Sequence, residues 1–168
     1  MADLYDEIQA VAAQYPSRRS AVMPALHLAQ DRYGWLPPEA LREVAEALDL
    51  TPAYCYAVAS FYDMYHLEPI GRHEIAVCTN VSCALAGAQD VLAAFERELG
   101  VEAGGTTEDG EFSLSSFECL GGCGWATVVA VNWRYREHVA ADDVPGIVAE
   151  LRGGDGPEGP PEGTADDA

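Results

Sequence analysis

The chain has 168 residues, 49% of them hydrophobic, which is enough apolar material for a real core in one or two domains. Its 28 acidic residues face only nine basic ones, all arginine, for a formal net charge of −19. That balance excludes nucleic acid as a partner, since phosphate binding needs a cationic face. The absence of any run of about 18 uncharged apolar residues excludes direct membrane insertion through a helix.

The first stretch reads as helices. Leu4, Ile8, Val11 and Ala12 share one face, and Ser17 or Ser20 caps a second helix that carries Val22, Leu26, Ala29 and Tyr33 until Gly34 stops it. Pro37-Pro38 opens a third, with Leu41, Val44, Ala45 and Leu48 at helical spacing, and Thr51-Pro52 starts a fourth that runs through Tyr54, Val58, Phe61, Tyr62 and Tyr65. These predict a compact helical bundle over residues 1–72. From Glu74 the pattern changes. EIAVCT alternates as a strand into Cys78, Ala86 to Leu99 is a helix ended by Gly100, and Glu111 to Glu118 is a strand arriving at Cys119. TVVAVN and YREHVA follow as strands, and Asp142 to Arg152 closes as a helix with acids in its first turn. Residues 73–152 therefore predict an α/β layer with a small mixed sheet. The remaining 153–168, Gly-, Pro- and acid-rich, predict a disordered acidic tail.

Four of the five cysteines fall in two close pairs, Cys78-x4-Cys83 and Cys119-x3-Cys123, both expected in loops at strand ends. Two short loops with two thiolates each suit an iron–sulfur cluster, a structural zinc, or disulfides. The start of the chain has neither a basic region nor an apolar stretch of a signal peptide, which predicts a cytosolic setting where thiols stay reduced. Neither pair has the C-x-x-C spacing of a dithiol redox motif. A zinc-stapled interaction module accepts this ligand set, although such modules are usually small and this chain has core enough to fold without metal. Gly121, Gly122 and Gly124 let backbone approach closely and point N–H groups at sulfur, one of the levers on a cluster's potential. Asn80 and Ser82 are candidate donors to sulfur as well. Cys55, alone on an apolar helix, reads as a small buried hydrophobe outside the site.

Taken with RRSAVMPALHLAQDRYGWLPPEAL, YAVASFYDMYHLEPIGRHEIAVCTNVSCALAGA and VNWRYREHV, the cysteine set resembles the thioredoxin-like 2Fe-2S ferredoxins, in particular the small ferredoxin subunit of the NADH-dehydrogenase module of respiratory complex I. The resemblance covers about residues 4–152. It implies an α/β fold in which an N-terminal helical bundle precedes a thioredoxin-like domain, with a 2Fe-2S cluster held by Cys78 and Cys83 on one iron and by Cys119 and Cys123 on the other. It further implies a partner flavoprotein that binds FMN and NADH, and a place in NADH:quinone oxidoreductase, peripheral on the cytoplasmic side of the membrane. Relatives also serve NAD-dependent formate dehydrogenases and NAD-reducing hydrogenases. This polypeptide has no G-x-G-x-x-G after a strand and is not expected to bind NADH itself. The family commonly has Ala-Pro shortly after the last ligand, whereas here Thr127 follows Ala126. No thiolate is lost by that change. The helical domain, with Trp35, Tyr62 and Tyr65, is expected to meet the partner together with the cluster loops.

Overall fold

In the computed structural model, residues 3–154 are described, so residues 155–168 of the acidic tail lie outside the described residues. The chain divides into two compact units, one ending at Ile70 and the other beginning at Gly71.

The first unit is helical: α1 (Leu4–Ala12), a 3-10 turn (Arg18–Ala21), α2 (Val22–Tyr33), α3 (Pro38–Leu48) and α4 (Pro52–Ala59). The boundaries follow local chemistry. The Ser17 hydroxyl accepts the Ser20 N–H, Gly34 ends α2 at φ 79°, Pro38 occupies the first turn of α3, and the Thr51 hydroxyl caps α4. Leu4, Ile8, Leu26, Leu36, Val44 and Leu48 form a single core, each stabilising the unit by about 1.5–3 kcal/mol through burial. The loop after α4 is latched by Gln30, whose side chain donates to the Met64 carbonyl at 2.9 Å and accepts the His66 N–H at 2.8 Å.

The aromatic run departs from its expected course. The fourth helix stops at Ala59 instead of continuing to Tyr65, because Ser60 turns its hydroxyl back onto the Ala57 carbonyl and the following Phe-Tyr-Asp sequence is poor in helix formers. Phe61 and Tyr62 are consequently exposed. Tyr65, expected at a partner contact, is instead buried with its hydroxyl donating to the Met23 carbonyl at 2.9 Å. Trp35 is half-buried.

The second unit is a small mixed sheet with order β2-β1-β3-β4: β1 (His73–Cys78), β2 (Phe112–Phe117), β3 (Val129–Val131) and β4 (Arg134–Arg136). Strands β1 and β2 are parallel, joined through helices α5 (Val81–Leu85) and α6 (Ala88–Leu99), whereas β1–β3 and β3–β4 are antiparallel. A last helix, α7 (Val144–Arg152), closes the unit. Period-two alternation divides the sheet's faces. Ile75, Val77, Phe112, Leu114, Val129 and Val131 pack with Phe95, Val148 and Leu151 of α6 and α7. Ala76, Cys78, Val128 and Ala130 fall in a second cluster with Cys83, Ala88 and Leu120. The buried strand residues of the second face are therefore small, with Phe117 and Trp133 packed against them, and it is the face that carries the cysteine loops.

Several elements are shorter than the sequence predicts. Asn132 and Trp133 both take positive φ (48° and 63°), the two-residue turn that matches a hairpin's twist, so TVVAVN is a strand only over Val129–Val131. The next strand covers Arg134–Arg136 alone. Helix α6 begins at Ala88, since Gly87 sits at φ 99°, and α7 is preceded by a 3-10 turn (Ala141–Asp143) in which the Asp143 carboxylate accepts the Ala140 N–H at 2.9 Å. Among the described residues no helix is long and apolar enough to cross a membrane.

Candidate metal centre

Both cysteine pairs lie at the ends of β1 and β2, held together by strand-end hydrogen bonds. The Cys78 N–H donates to the Val128 carbonyl at 3.1 Å and the Thr79 N–H to the Phe117 carbonyl at 2.9 Å, which ties the exit of β1 to both neighbouring segments. Cys78 is the last residue of β1. Cys83, expected in a loop, lies instead within α5, because the Asn80 side-chain oxygen accepts the Val81 N–H at 2.6 Å and nucleates that helix. Ser82 is a half-buried residue of the same helix. Cys119 follows β2 in a loop, and Cys123 opens a 3-10 turn (Cys123–Trp125).

The two pairs differ in environment. Cys78 and Cys83 are 3% and 2% exposed, whereas Cys119 and Cys123 face solvent. Burial alone would push the Cys78 thiol up. The backbone N–H groups of Leu120 and Asn80, with the Cys83 thiol, point at its sulfur and together hold it below the ordinary thiol value. Cys83 moves the other way: burial pushes it up, the Val128 N–H opposes that, and the adjacent Cys78 and nearby Cys123 add to the rise. The same interactions place Cys78 beside Cys83 and bring Cys123 within electrostatic reach of Cys83. Cys119 receives the Gly121 N–H at 3.4 Å. Among the described residues no three His, Cys, Asp or Glu side chains converge as a centre for one metal ion. A two-iron cluster is held by pairs, and the pairs here come from two segments.

The donor set fits such a cluster. Thiolate sulfurs are its normal ligands, and backbone N–H groups aimed at those sulfurs are what stabilises their added negative charge. Glycine is required at two points. Gly121 has φ 79°, and a Cβ on Gly122 would lie 2.8 Å from a Val128 methyl carbon. Between Cys119 and these glycines, Leu120 serves the site in three ways. Its N–H helps to lower the Cys78 thiol value, its carbonyl accepts the Tyr135 hydroxyl from β4, and its side chain is buried in the cluster that holds Cys78 and Cys83.

Sequence reasoning selected the cysteines and glycines but not Leu120 or Tyr135. Leu120 sits between two cysteines as an ordinary apolar residue, and the sole signal for Tyr135 is its place in the strand after the second loop. Of the candidate donors, Asn80 contributes to sulfur through its backbone, not its side-chain oxygen, which caps α5. Cys55 lies in the helical core with a thiol pushed up by burial, as an inert thiol should be. Thr127, in place of the family proline, is buried and directs its hydroxyl at the Ala86 carbonyl at 3.5 Å, and its N-terminal peptide is cis.

Comparison with known proteins identifies the family. The sequence model of the thioredoxin-like 2Fe-2S ferredoxins matches residues 8–152. The chain is 44% identical over 147 residues to an E-type subunit of the NADH-quinone oxidoreductase of Rhizobium meliloti, covering 88% of each protein. It is 39% identical over 155 residues to NADH-quinone oxidoreductase subunit 2 of Thermus thermophilus, covering 90% of this chain and 86% of that one. Against the E-type subunit of the same enzyme from Mycobacterium bovis the identity is 39% over 163 residues, and the chain spans 64% of that relative's length. Among solved structures, an NAD+-reducing NiFe hydrogenase in the air-oxidised state superposes with a TM-score of 0.72 at 23% identity, over 79% of this chain and 23% of that one, a likeness of fold. The chain belongs to the thioredoxin-like 2Fe-2S ferredoxin family.

Proposed function

We propose that this protein is the electron-transfer subunit of an NADH:quinone oxidoreductase, with Cys78 and Cys83 holding one iron of a 2Fe-2S cluster and Cys119 and Cys123 the other. The observation that supports the reading is the approach of the two cysteine segments on one face of the sheet, where Cys78, Cys83 and Leu120 share a buried cluster, the Cys78 N–H bonds the Val128 carbonyl and the Gly121 N–H donates to the Cys119 sulfur. When bound, the cluster supplies one-electron uptake and release, with no bond made to a substrate. The chain's own residues fix the sulfurs, offset their charge with N–H groups and keep Cys78 and Cys83 from water.

FMN and NADH belong, in this reading, to a partner flavoprotein. Around the cysteine segments Val81, Leu85, Trp125 and Tyr135 are exposed, Leu85 by 86%, an apolar rim suited to a protein contact. The subunit acts as a peripheral member of its complex on the cytoplasmic side of the membrane. Identity over most of the chain favours the quinone-linked complex over a hydrogenase, for which the likeness is one of fold. Co-expression with the flavoprotein tests this. The full chain co-purifies with it, deletion of 153–168 leaves NADH:ferricyanide activity of the pair unchanged, and deletion of 1–66 abolishes co-purification. NADH oxidation by the isolated chain would overturn the assignment.

A further inference from the structure

The second cysteine loop is the exposed one, and a single peptide unit in it meets two hydrogen-bonding partners. On one side the Leu120 carbonyl accepts the Tyr135 hydroxyl. On the other the Gly121 N–H donates to the Cys119 sulfur at 3.4 Å. Carbonyl and amide belong to the same planar trans peptide, so they point in opposite directions, and fixing one fixes the other. Gly121 lies at φ 79°, and glycine leaves such a peptide free to rotate because no Cβ opposes the turn. The hydroxyl selects one orientation.

We propose that Tyr135 is a positioning residue for the second cysteine loop, turning the Gly121 N–H onto Cys119 and thereby favouring the reduced form of the site. This rests on the reading of the four cysteines as cluster ligands. Two physical effects act in one direction. The hydroxyl holds the peptide's orientation, and by drawing electron density to the carbonyl oxygen it polarises the N–H toward the sulfur. Stronger donation to a ligand sulfur stabilises the added negative charge and raises the potential. Packing is a lesser part of the role, since Tyr135 is half exposed at the sheet's edge. Cys78 depends less on any such brace, because it is buried at the end of β1 and its own N–H is held by the Val128 carbonyl.

The test compares the full cluster-bearing chain with Tyr135→Phe and with Tyr5→Phe, a control at an exposed tyrosine of α1. Three quantities are read: iron and sulfide per chain, midpoint potential by redox titration, and amide exchange of segment 118–124 by mass spectrometry. Tyr135→Phe is expected to keep its iron and sulfide, to titrate at a more negative potential, and to exchange several-fold faster in that segment, while Tyr5→Phe matches the parent in all three. An unchanged potential overturns the proposal, and if exchange has nevertheless quickened, Tyr135 is only a mechanical brace. Should the variant take up less cluster, the potential is read on its cluster-bearing fraction and the exchange on the cluster-free chains: a more negative potential with faster exchange supports the positioning role, and an unchanged potential or equal exchange overturns it. A parent chain lacking iron and sulfide would instead overturn the cluster reading, and this assignment with it.

Discussion

The helical unit and the sheet unit bury similar kinds of side chain to different ends. In the helical unit every amphipathic face turns toward one core, and none of the four paired cysteines takes part. In the sheet unit the strands have two covered faces, one filled by large residues against α6 and α7 and the other by small ones with Cys78 and Cys83. The difference shows how one face of a small sheet can be given over to cysteine loops while the other keeps a full apolar core. Phe95, Phe112 and Leu151 stabilise the sheet from one side, which leaves the other free for glycine turns, N–H donors and thiols.

Changing the ligands tests that contrast with the largest effect. Replacing Cys78, Cys83, Cys119 or Cys123 singly by Ala should lose or degrade the visible spectrum of the cluster, since in the proposed ligation each thiolate completes an iron's coordination. Amide exchange in residues 3–70 should stay as in the parent. A normal spectrum in Cys123→Ala would show that the pairing is wrong. Next comes the converse experiment. Leu26→Ala in the helical core should cost about 2–5 kcal/mol by denaturant unfolding, with the absorption spectrum of the folded protein unchanged. Loss of colour in the folded variant would break the separation of roles.

Cys55→Ala sharpens the same point with a smaller effect. It removes one buried sulfur and no ligand, so the spectrum should persist with a loss of about 1 kcal/mol or less in stability. The smallest effect is electrostatic. The Arg136 guanidinium bonds both oxygens of Glu150 at 3.0 and 2.5 Å and holds its carboxyl below the ordinary glutamate range. With the folded value depressed, this pair stabilises the sheet unit above the unfolded glutamate value of about 4.3, and the contribution disappears as pH falls through the lower, folded value. Glu150 is more than a third exposed, so solvent screening keeps the contribution below about 1 kcal/mol. Glu150→Gln should therefore reduce stability slightly at neutral pH and not at all in strong acid, as urea titrations at the two pH values would read.

Much of this organisation was legible in the chain, for identifiable reasons. Helix ends marked by Gly34, Pro38, Thr51 and Gly100 obey local chemistry, and so they fall where the residues say. The misplaced elements depend on partners far along the chain or on backbone geometry that composition hides. Strand β3 is cut short by a turn made of Asn132 and Trp133, and Asn132 is suited to it through its side chain, which accepts the Glu74 N–H at 2.8 Å across the sheet. Tyr65 is buried because its hydroxyl finds the Met23 carbonyl, 42 residues away. At the site, cysteine spacing and glycines gave away the sulfur positions. Leu120 and Tyr135 stayed hidden, because what they contribute is one backbone carbonyl and one hydroxyl that meet only when the loop folds against β4.

The central claim is that the four cysteines hold a two-iron, two-sulfide cluster, and metal and sulfide analysis of the purified chain, read with its visible spectrum before and after dithionite, tests it most directly. The expected result is a reddish-brown protein with about two irons and two acid-labile sulfides per chain, partly bleached on reduction. A colourless protein with about one zinc per chain, no sulfide and no response to dithionite would contradict it.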